Sequence, residues 1–181
     1  MFKQDIPVID TARLRLRGYV ADDLAASAAL WADPLVTRYI TGKPLTGEEV
    51  WSRLLRHAGH WQWLGFGYWA VEEKASGLFI GELGFVDYKR ETLPTFAGLP
   101  ELGYSLAARV HGKGYATEGL KAALEWGDLK FQGGRTVCIV NPENTASLRV
   151  ALRCGYREYS RGHYHERPIV MLERQPGAYR E

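Results

Sequence analysis

A strand-like run, a turn of small residues and a long helical run follow one another between Leu102 and Phe131, and this succession constrains the fold more than any other stretch. Leu102 to Ala108 is apolar and strand-like. In His111-Gly112-Lys113-Gly114-Tyr115-Ala116-Thr117-Glu118, the small residues Gly112, Gly114 and Ala116 then alternate with larger ones. Thr117 to Phe131 reads as a helix. The first N–H groups of a helix lack internal partners and its dipole favours negative charge there, so the turn is read as an anion site. Glycines carry no side chain to hold a phosphate away from the main chain. A plain turn is the other reading. The motif is not a Walker loop, because its glycines are too close together and no Ser or Thr follows Lys113. It is not the dinucleotide fingerprint either, because Thr117 stands where the third glycine would be.

The surrounding chain is that of an ordinary soluble protein. Its 181 residues suit one domain, 1–181, with a real core. Apolar residues make up 46% and charged residues 24%, and the net charge of +2 is too small to argue for nucleic acid. No apolar run approaches a membrane span, and Met1-Phe2-Lys3-Gln4-Asp5 lacks the apolar core of a signal peptide. Only Cys138 and Cys154 are present, so no disulfide framework is expected. Both are read as inert core thiols in a reducing cytoplasm. The His and Cys residues lack ligand spacing, so no metal is expected.

Periodicity orders the elements. Leu14, Leu16 and Tyr19 interleave with Arg13, Arg15 and Arg17, which predicts a half-buried strand with arginines on its wet face. A helix runs over Leu24 to Ala32 and ends at Asp33-Pro34. Thr46-Gly47-Glu48-Glu49 fits an N-cap with acids in the first turn, so a second helix runs from Glu48 to Trp63. Tyr68–Val71 and Leu78–Val86 read as a hairpin, and Arg90 to Pro100 as a loop. Beyond the glycine turn and its helix come a strand over Arg135 to Val140 and a helix over Thr145 to Arg153 closed by Gly155. Tyr156–Tyr159 and Ile169–Leu172 predict two last strands. Together these make an α/β (α+β) chain with a mixed, mostly antiparallel sheet of about seven strands and about four helices. Trp51, Trp61 and Trp63 are read as packing, and Glu118 as a complement to the helix dipole.

The order of elements resembles the GNAT superfamily of acyl-CoA-dependent N-acyltransferases, and four motifs resemble its RimJ/RimL-like branch. Thr11-Ala12-Arg13-Leu14-Arg15-Leu16-Arg17 is similar to the opening T-x-R-L-x-L-R. Asp33-Pro34-Leu35-Val36 is similar to D-P-x-V, and Gly112 to Glu118 to G-K-G-Y-A-T-E. Asn141-Pro142-Glu143-Asn144-Thr145-Ala146-Ser147, followed by Cys154-Gly155-Tyr156, is similar to N-x-x-N-x-x-S with x-G-[FY]. The likeness covers Thr11 to Arg174, the expected core of the domain.

The resemblance implies that acetyl-CoA is the acyl donor and that its pyrophosphate lies on His111, Gly112, Lys113, Gly114, Tyr115, Ala116 and Thr117. The pattern [QR]-x-x-G-x-[GA] is met with His at its first place. It also implies a strand over Glu101 to Ala108 that splays from its neighbour and pairs with the pantetheine arm, Leu106 offering its N–H to the acyl carbonyl. Asn141 and Asn144 would meet that arm, although Asn141 before Pro142 also suits a plain strand end. Acyl transfer needs a neutral amine, a donor for the oxyanion, a proton for the thiolate and both substrates in line. Glu101, where many relatives carry a glutamate, is the first candidate base, or else a strand-end acid facing solvent or an arginine; Glu82 is the second, lining the cleft or facing water, with His163 and His165 after them. Many relatives carry a tyrosine acid where this chain has Ala151, but RimL-like relatives carry a serine at the place of Ser147, so the resemblance makes Ser147 the candidate acid; a helix residue bonding back to a carbonyl is the other reading. The acceptor side is expected at Trp31, Arg38, Tyr39 and Glu82 on one flank and Tyr164 and His165 on the other. The reaction implied is acetyl transfer to a primary amine, a protein N-terminus first and a small-molecule amine second. A non-catalytic coenzyme-A-binding module is the third reading. No nucleic-acid or membrane partner is expected, and the chain is expected to be a monomer or homodimer.

Overall fold

The computed structural model describes residues 5–176, so residues 1–4 and 177–181 of the expected domain, and most of the opening read for a signal peptide, lie outside the described residues. Eight strands form one sheet in the order β1-β2-β3-β4-β5-β6-β8-β7. In the chain, β1 (Ile9–Asp10) and β2 (Leu14–Arg17) come first, followed by α1 (Asp23–Ala32), α2 (Pro34–Thr37) and α3 (Gly47–Leu64). The hairpin β3 (Tyr68–Glu73) and β4 (Leu78–Val86) leads to β5 (Glu101–Leu106), a 3-10 turn at Ala108–Val110, and α4 (Tyr115–Lys130). β6 (Thr136–Val140), α5 (Thr145–Arg153), β7 (Arg157–Tyr164) and β8 (Arg167–Arg174) complete it.

The expected mixed sheet is present, with one strand and one helix more than expected. The extra strand is the two-residue β1, which pairs with Leu16 and Arg15 of β2. The extra helix is α2. Asp33 ends α1 as read, because a residue before proline is pushed out of the helical region. Pro34 then starts a new turn, and the Asp33 carboxylate accepts the Leu35 N–H at 2.9 Å. α3 opens with a full capping box between Thr46 and Glu49.

α4 lies on the sheet over Leu14, Leu16 and Leu83, close enough that a Cβ at Gly119 would stand 2.6 Å from the Leu83 side chain. The aromatic rings of Trp61, Trp69, Phe85, Trp126 and Phe131 stack edge to face at the far end of this layer. Of the three tryptophans read as packing, only Trp61 packs; Trp51 and Trp63 are exposed. Val50, Leu54, His57 and Trp61 share one face of α3 at spacings of four, three and four, and Trp51 and Trp63 fall off it. Arg15 faces water as expected, but Arg17 is drawn in by Asp23 at 2.7 Å and Glu72 at 2.9 Å. Among the described residues no helix is long and apolar enough to cross a membrane. Cys138 and Cys154 are buried and free.

All strand neighbours are antiparallel except β5 and β6, which are parallel and meet at the single pair Glu101↔Val137. Beyond it the two strands part. That gap positions the site.

Candidate active site

The gap opens one cavity of about 670 Å³ that runs from Gly112 and Gly114, past Leu106 and Ser147, to Arg90 and Glu101. One wall is the free side of β5. Ala107 donates its N–H to the Ile80 carbonyl at 2.8 Å, and Leu106 lies opposite Gly81. Antiparallel ladders alternate bonded and non-bonded pairs, so the Leu106 N–H and C=O turn away from β4 toward the gap. His111 Nε2 meets the Leu106 carbonyl at 2.8 Å, which ties the start of the turn to the strand that leads into it.

The turn itself is shaped by positive φ. Gly112 stands at +76° and Gly114, the N-cap of α4, at +81°. No side chain caps α4, and Glu118 is the residue that makes its first bond, to the Gly114 carbonyl at 3.1 Å. The early amides of α4 therefore stay available to an outside acceptor. This cradle fits a diphosphate. α4 begins at Tyr115 rather than Thr117, because the left-handed Gly114 is itself the cap.

The turn is clamped from behind. The Glu118 carboxylate accepts from Thr11 Oγ1 at 2.7 Å, the Arg13 N–H at 2.8 Å and Arg13 Nε at 2.7 Å. Arg13 Nη1 also donates to the Lys113 carbonyl at 2.9 Å, and its guanidinium lies 4.4 Å from the Tyr115 ring centre. The T-x-R and G-K-G-Y-A-T-E motifs are thus one structure. Glu118 does more than offset the dipole, and the side chain of Lys113 is exposed, its carbonyl serving the clamp.

α5 forms the other wall. Asn144 caps it, its Oδ1 accepting the Ser147 N–H at 3.1 Å, and Asn141 Oδ1 accepts the Glu143 N–H at 2.9 Å to end β6. These are structural bonds, although both asparagines also line the cavity. Ser147 Oγ is 2.9 Å from the Tyr104 hydroxyl. Burial raises the Tyr104 pKa, so the phenol is protonated at neutral pH. Tyr104 escaped the reading of the sequence, yet its signal was there: it sits two residues before Leu106 on the same strand face. Ala151, the slot without a tyrosine, lines the same cavity. Cys138 and Cys154 also line it, and burial pushes both thiols up, Cys154 to about 11, which keeps them protonated.

The acceptor-side expectations need more revision. Glu101 faces the cavity, buried, with Arg90 Nε 2.7 Å from its Oε2. Glu82 neither lines the cavity nor faces water. It is fully buried, accepting from Tyr19 at 2.7 Å and Arg53 at 2.8 Å, with His57 Nε2 3.5 Å away. Burial alone would raise its pKa, but the Arg53 charge overrides this and holds it well below the usual carboxylate range. With both oxygens occupied and no access to the cavity, it cannot meet an incoming amine. Trp31 is also fully buried, its ring 4.1 Å from the Arg53 guanidinium, so it supports the wall from underneath. Tyr39 lines the cavity, with Arg38 5.0 Å from its ring. Tyr164 lies outside the lining and touches it through Arg90, 4.7 Å from its ring. His163 and His165 are exposed on the β7–β8 hairpin, outside the cavity. Besides Glu101 and Tyr39, the lining includes Arg53, Tyr68, Tyr88 and Arg90, together with the apolar Leu35, Val36 and Ile40. Of these, Arg53 was legible as a cation on the buried face of α3.

Comparison with known proteins agrees with this geometry. A family model described as an acetyltransferase (GNAT) domain matches residues 13–157. The uncharacterized protein YkkB of Bacillus subtilis (strain 168) is 32% identical over 169 residues, spanning 91% of this chain and 94% of that protein. A solved putative GnaT-family acetyltransferase from Bordetella pertussis is 28% identical with a TM-score of 0.83, covering 93% of this chain and 99% of its own. Mycobacterium smegmatis RimJ, solved in complex with CoA-disulfide, shares the fold at 21% identity and a TM-score of 0.74, covering 94% and 88%.

Proposed function

Because the chain belongs to the acetyltransferase (GNAT) family and is an acetyl-CoA-dependent N-acetyltransferase, we propose that it follows the RimJ/RimL-like branch and acetylates the α-amine of a protein N-terminus. The observation that carries the reading is the single cavity joining the uncapped start of α4, the free edge of β5 and an inner end rich in tyrosine and arginine. Acetyl-CoA supplies the thioester when bound. The amides between Gly112 and Thr117 take its diphosphate, His111 fixes the turn against Leu106, and the Leu106 N–H holds the acyl carbonyl. Asn141 and Asn144 border the pantetheine arm with what their own bonds leave free. Ser147, held by Tyr104, returns a proton to the sulfur. Glu101 takes the proton of the incoming ammonium, and Tyr39 borders the acceptor.

Support for a peptide-like acceptor over a polyamine comes from the lining. The carboxylate on the inner wall, Glu101, is already paired with Arg90, which leaves little to attract a second ammonium. We also read residues 1–181 as one domain, with its core over about 11–174, working in the cytoplasm as a monomer or homodimer.

Thiol release from acetyl-CoA over an amine panel tests this. Turnover of peptides beginning with Ala or Ser, without turnover of small amines, is the expected result. Turnover of small amines alone would move the reading to a small-molecule acceptor. Binding of acetyl-CoA without turnover on any amine would make the chain a coenzyme-A-binding module.

A further inference from the structure

The inner end of the cavity is rich in hydrogen-bond donors and poor in acceptors. Three guanidinium groups surround Tyr88: Arg56 and Arg90 lie 4.3 Å and 4.8 Å from its ring centre, and the Arg53 charge acts on its hydroxyl. Two carboxylates oppose them, Glu82 paired with Arg53 and Glu101 paired with Arg90. His57 adds no charge at neutral pH, since burial lowers its pKa to about 4. Arg53 and Arg90, the two guanidiniums that line the cavity, are thus each matched by a carboxylate, and the third, Arg56, stands exposed outside the lining. The Tyr88 hydroxyl is buried and has no hydrogen-bond partner, which is rare for a hydroxyl out of water. Arg53 is held in place: its Nε and Nη2 both meet Glu82 Oε1 at 2.8 Å, and its plane covers the Trp31 ring. Its Nη1 has no partner among the described residues. Arg90 is fixed between the rings of Tyr88 and Tyr164 while Nε meets Glu101. Rigid guanidinium forks beside an orphaned hydroxyl form a receptor for a planar oxyanion.

We propose that this end of the cavity receives a carboxylate carried by the acceptor, so that the preferred acceptors are amines that also bear an acid. This rests on the transferase reading above and narrows its substrate class. Arg53 Nη1, Arg90 and the Tyr88 hydroxyl donate to the carboxylate, and Glu101 is left facing the ammonium. A polyamine offers this end a second ammonium, a donor set against donors, with both carboxylates there already paired. The acid comes either from an Asp or Glu side chain near a peptide N-terminus or from the α-carboxylate of a free amino acid.

Thiol release by the full chain with matched acceptor pairs separates these. One pair is a Ser-Glu peptide against the same peptide with Gln. The other is an α-amino acid against its α-amide, with spermidine as the dication. The acid member of at least one pair should show kcat/KM about 10- to 100-fold above its amide, as expected when buried donors are otherwise left unpaired. Preference within the peptide pair identifies a peptide acid, and within the amino acid pair a free one. Tyr88→Phe, which removes only the orphaned hydroxyl, and Arg90→Gln should each shrink the acid-to-amide ratio. Equal use of both members, a preference for spermidine, or an unchanged ratio in both variants would overturn the proposal. Amides turned over with no preference for acids sink this inference alone. No turnover on any amine sinks the acceptor reading with it.

Discussion

Acidification should destabilise this protein through one histidine. The His57 ring lies between Tyr19, 5.8 Å away at 4°, and Tyr68, 4.7 Å away at 11°, and is fully buried. Burial depresses its pKa, and the attraction of Glu82 only partly compensates, so the value falls from 6.5 to about 4. Below pH 6.5 the unfolded chain binds a proton here, and the native chain binds it only near pH 4. The unfolded state therefore holds more protons across that window, and stability falls as pH falls. At ~1.36 kcal/mol for each unit, the full window is worth ~3 kcal/mol, of which ~2 kcal/mol is lost between pH 7 and pH 5. That corresponds to a melting temperature roughly 4–8 °C lower for a domain of this size. The control is His57→Phe. The ring nitrogens make no polar contact closer than the 3.5 Å approach of Nε2 to Glu82, so phenylalanine keeps the ring stack and removes the proton site. Urea unfolding of both proteins from pH 7.5 to pH 5 measures the difference. Between pH 7.5 and pH 5 the wild type should lose about 2 kcal/mol more stability than the variant. Parallel curves would refute the reasoning, because the loss would then belong to other groups.

Three substitutions probe the cleft. Ser147→Ala should lower kcat about 100-fold with little change in KM if its hydroxyl is the acid, and Tyr104→Phe should lower it about 10-fold by releasing that hydroxyl; steady-state kinetics that show equal turnover remove the pair from the mechanism. Gly112→Asp should weaken acetyl-CoA binding more than tenfold by calorimetry, since it sets a carboxylate against a diphosphate. A Cβ at Gly112 meets nothing within 4 Å, whereas one at Gly114 approaches Arg13 at 3.5 Å, which makes position 112 the cleaner probe. Arg13→Gln should raise KM for acetyl-CoA about fivefold and leave kcat alone, because the partly exposed clamp steadies the turn without touching the reacting atoms.

What the sequence revealed is what local patterns encode. α5 runs from Thr145 to Arg153 as read, since its cap, its length and the following glycine all lie within a dozen residues. The glycine turn and the helix start it caps were legible because they are adjacent in sequence. β7 and β8 run longer than the alternation suggested, since β7 is an edge strand whose exposed Arg157, Glu158 and Arg161 dilute the apolar signal. The acceptor side was least legible because its logic is non-local. Nothing near Glu82 in sequence announces that Arg53, 29 residues earlier, captures it. Trp31 looked like a wall of the pocket from its place on a helix, but an indole that large is better spent in the core beneath Arg53. The partnership of Tyr104 and Ser147 spans 43 residues and two elements, so only the folded chain displays it.

The most direct test is a crystal structure of the chain soaked with acetyl-CoA. The diphosphate should sit within hydrogen-bonding distance, ~2.7–3.2 Å, of amides between Gly112 and Thr117, with the thioester carbonyl at the Leu106 N–H and the acetyl group pointing toward Glu101. Acetyl-CoA bound elsewhere, or a turn left empty at saturating concentration, would contradict the account.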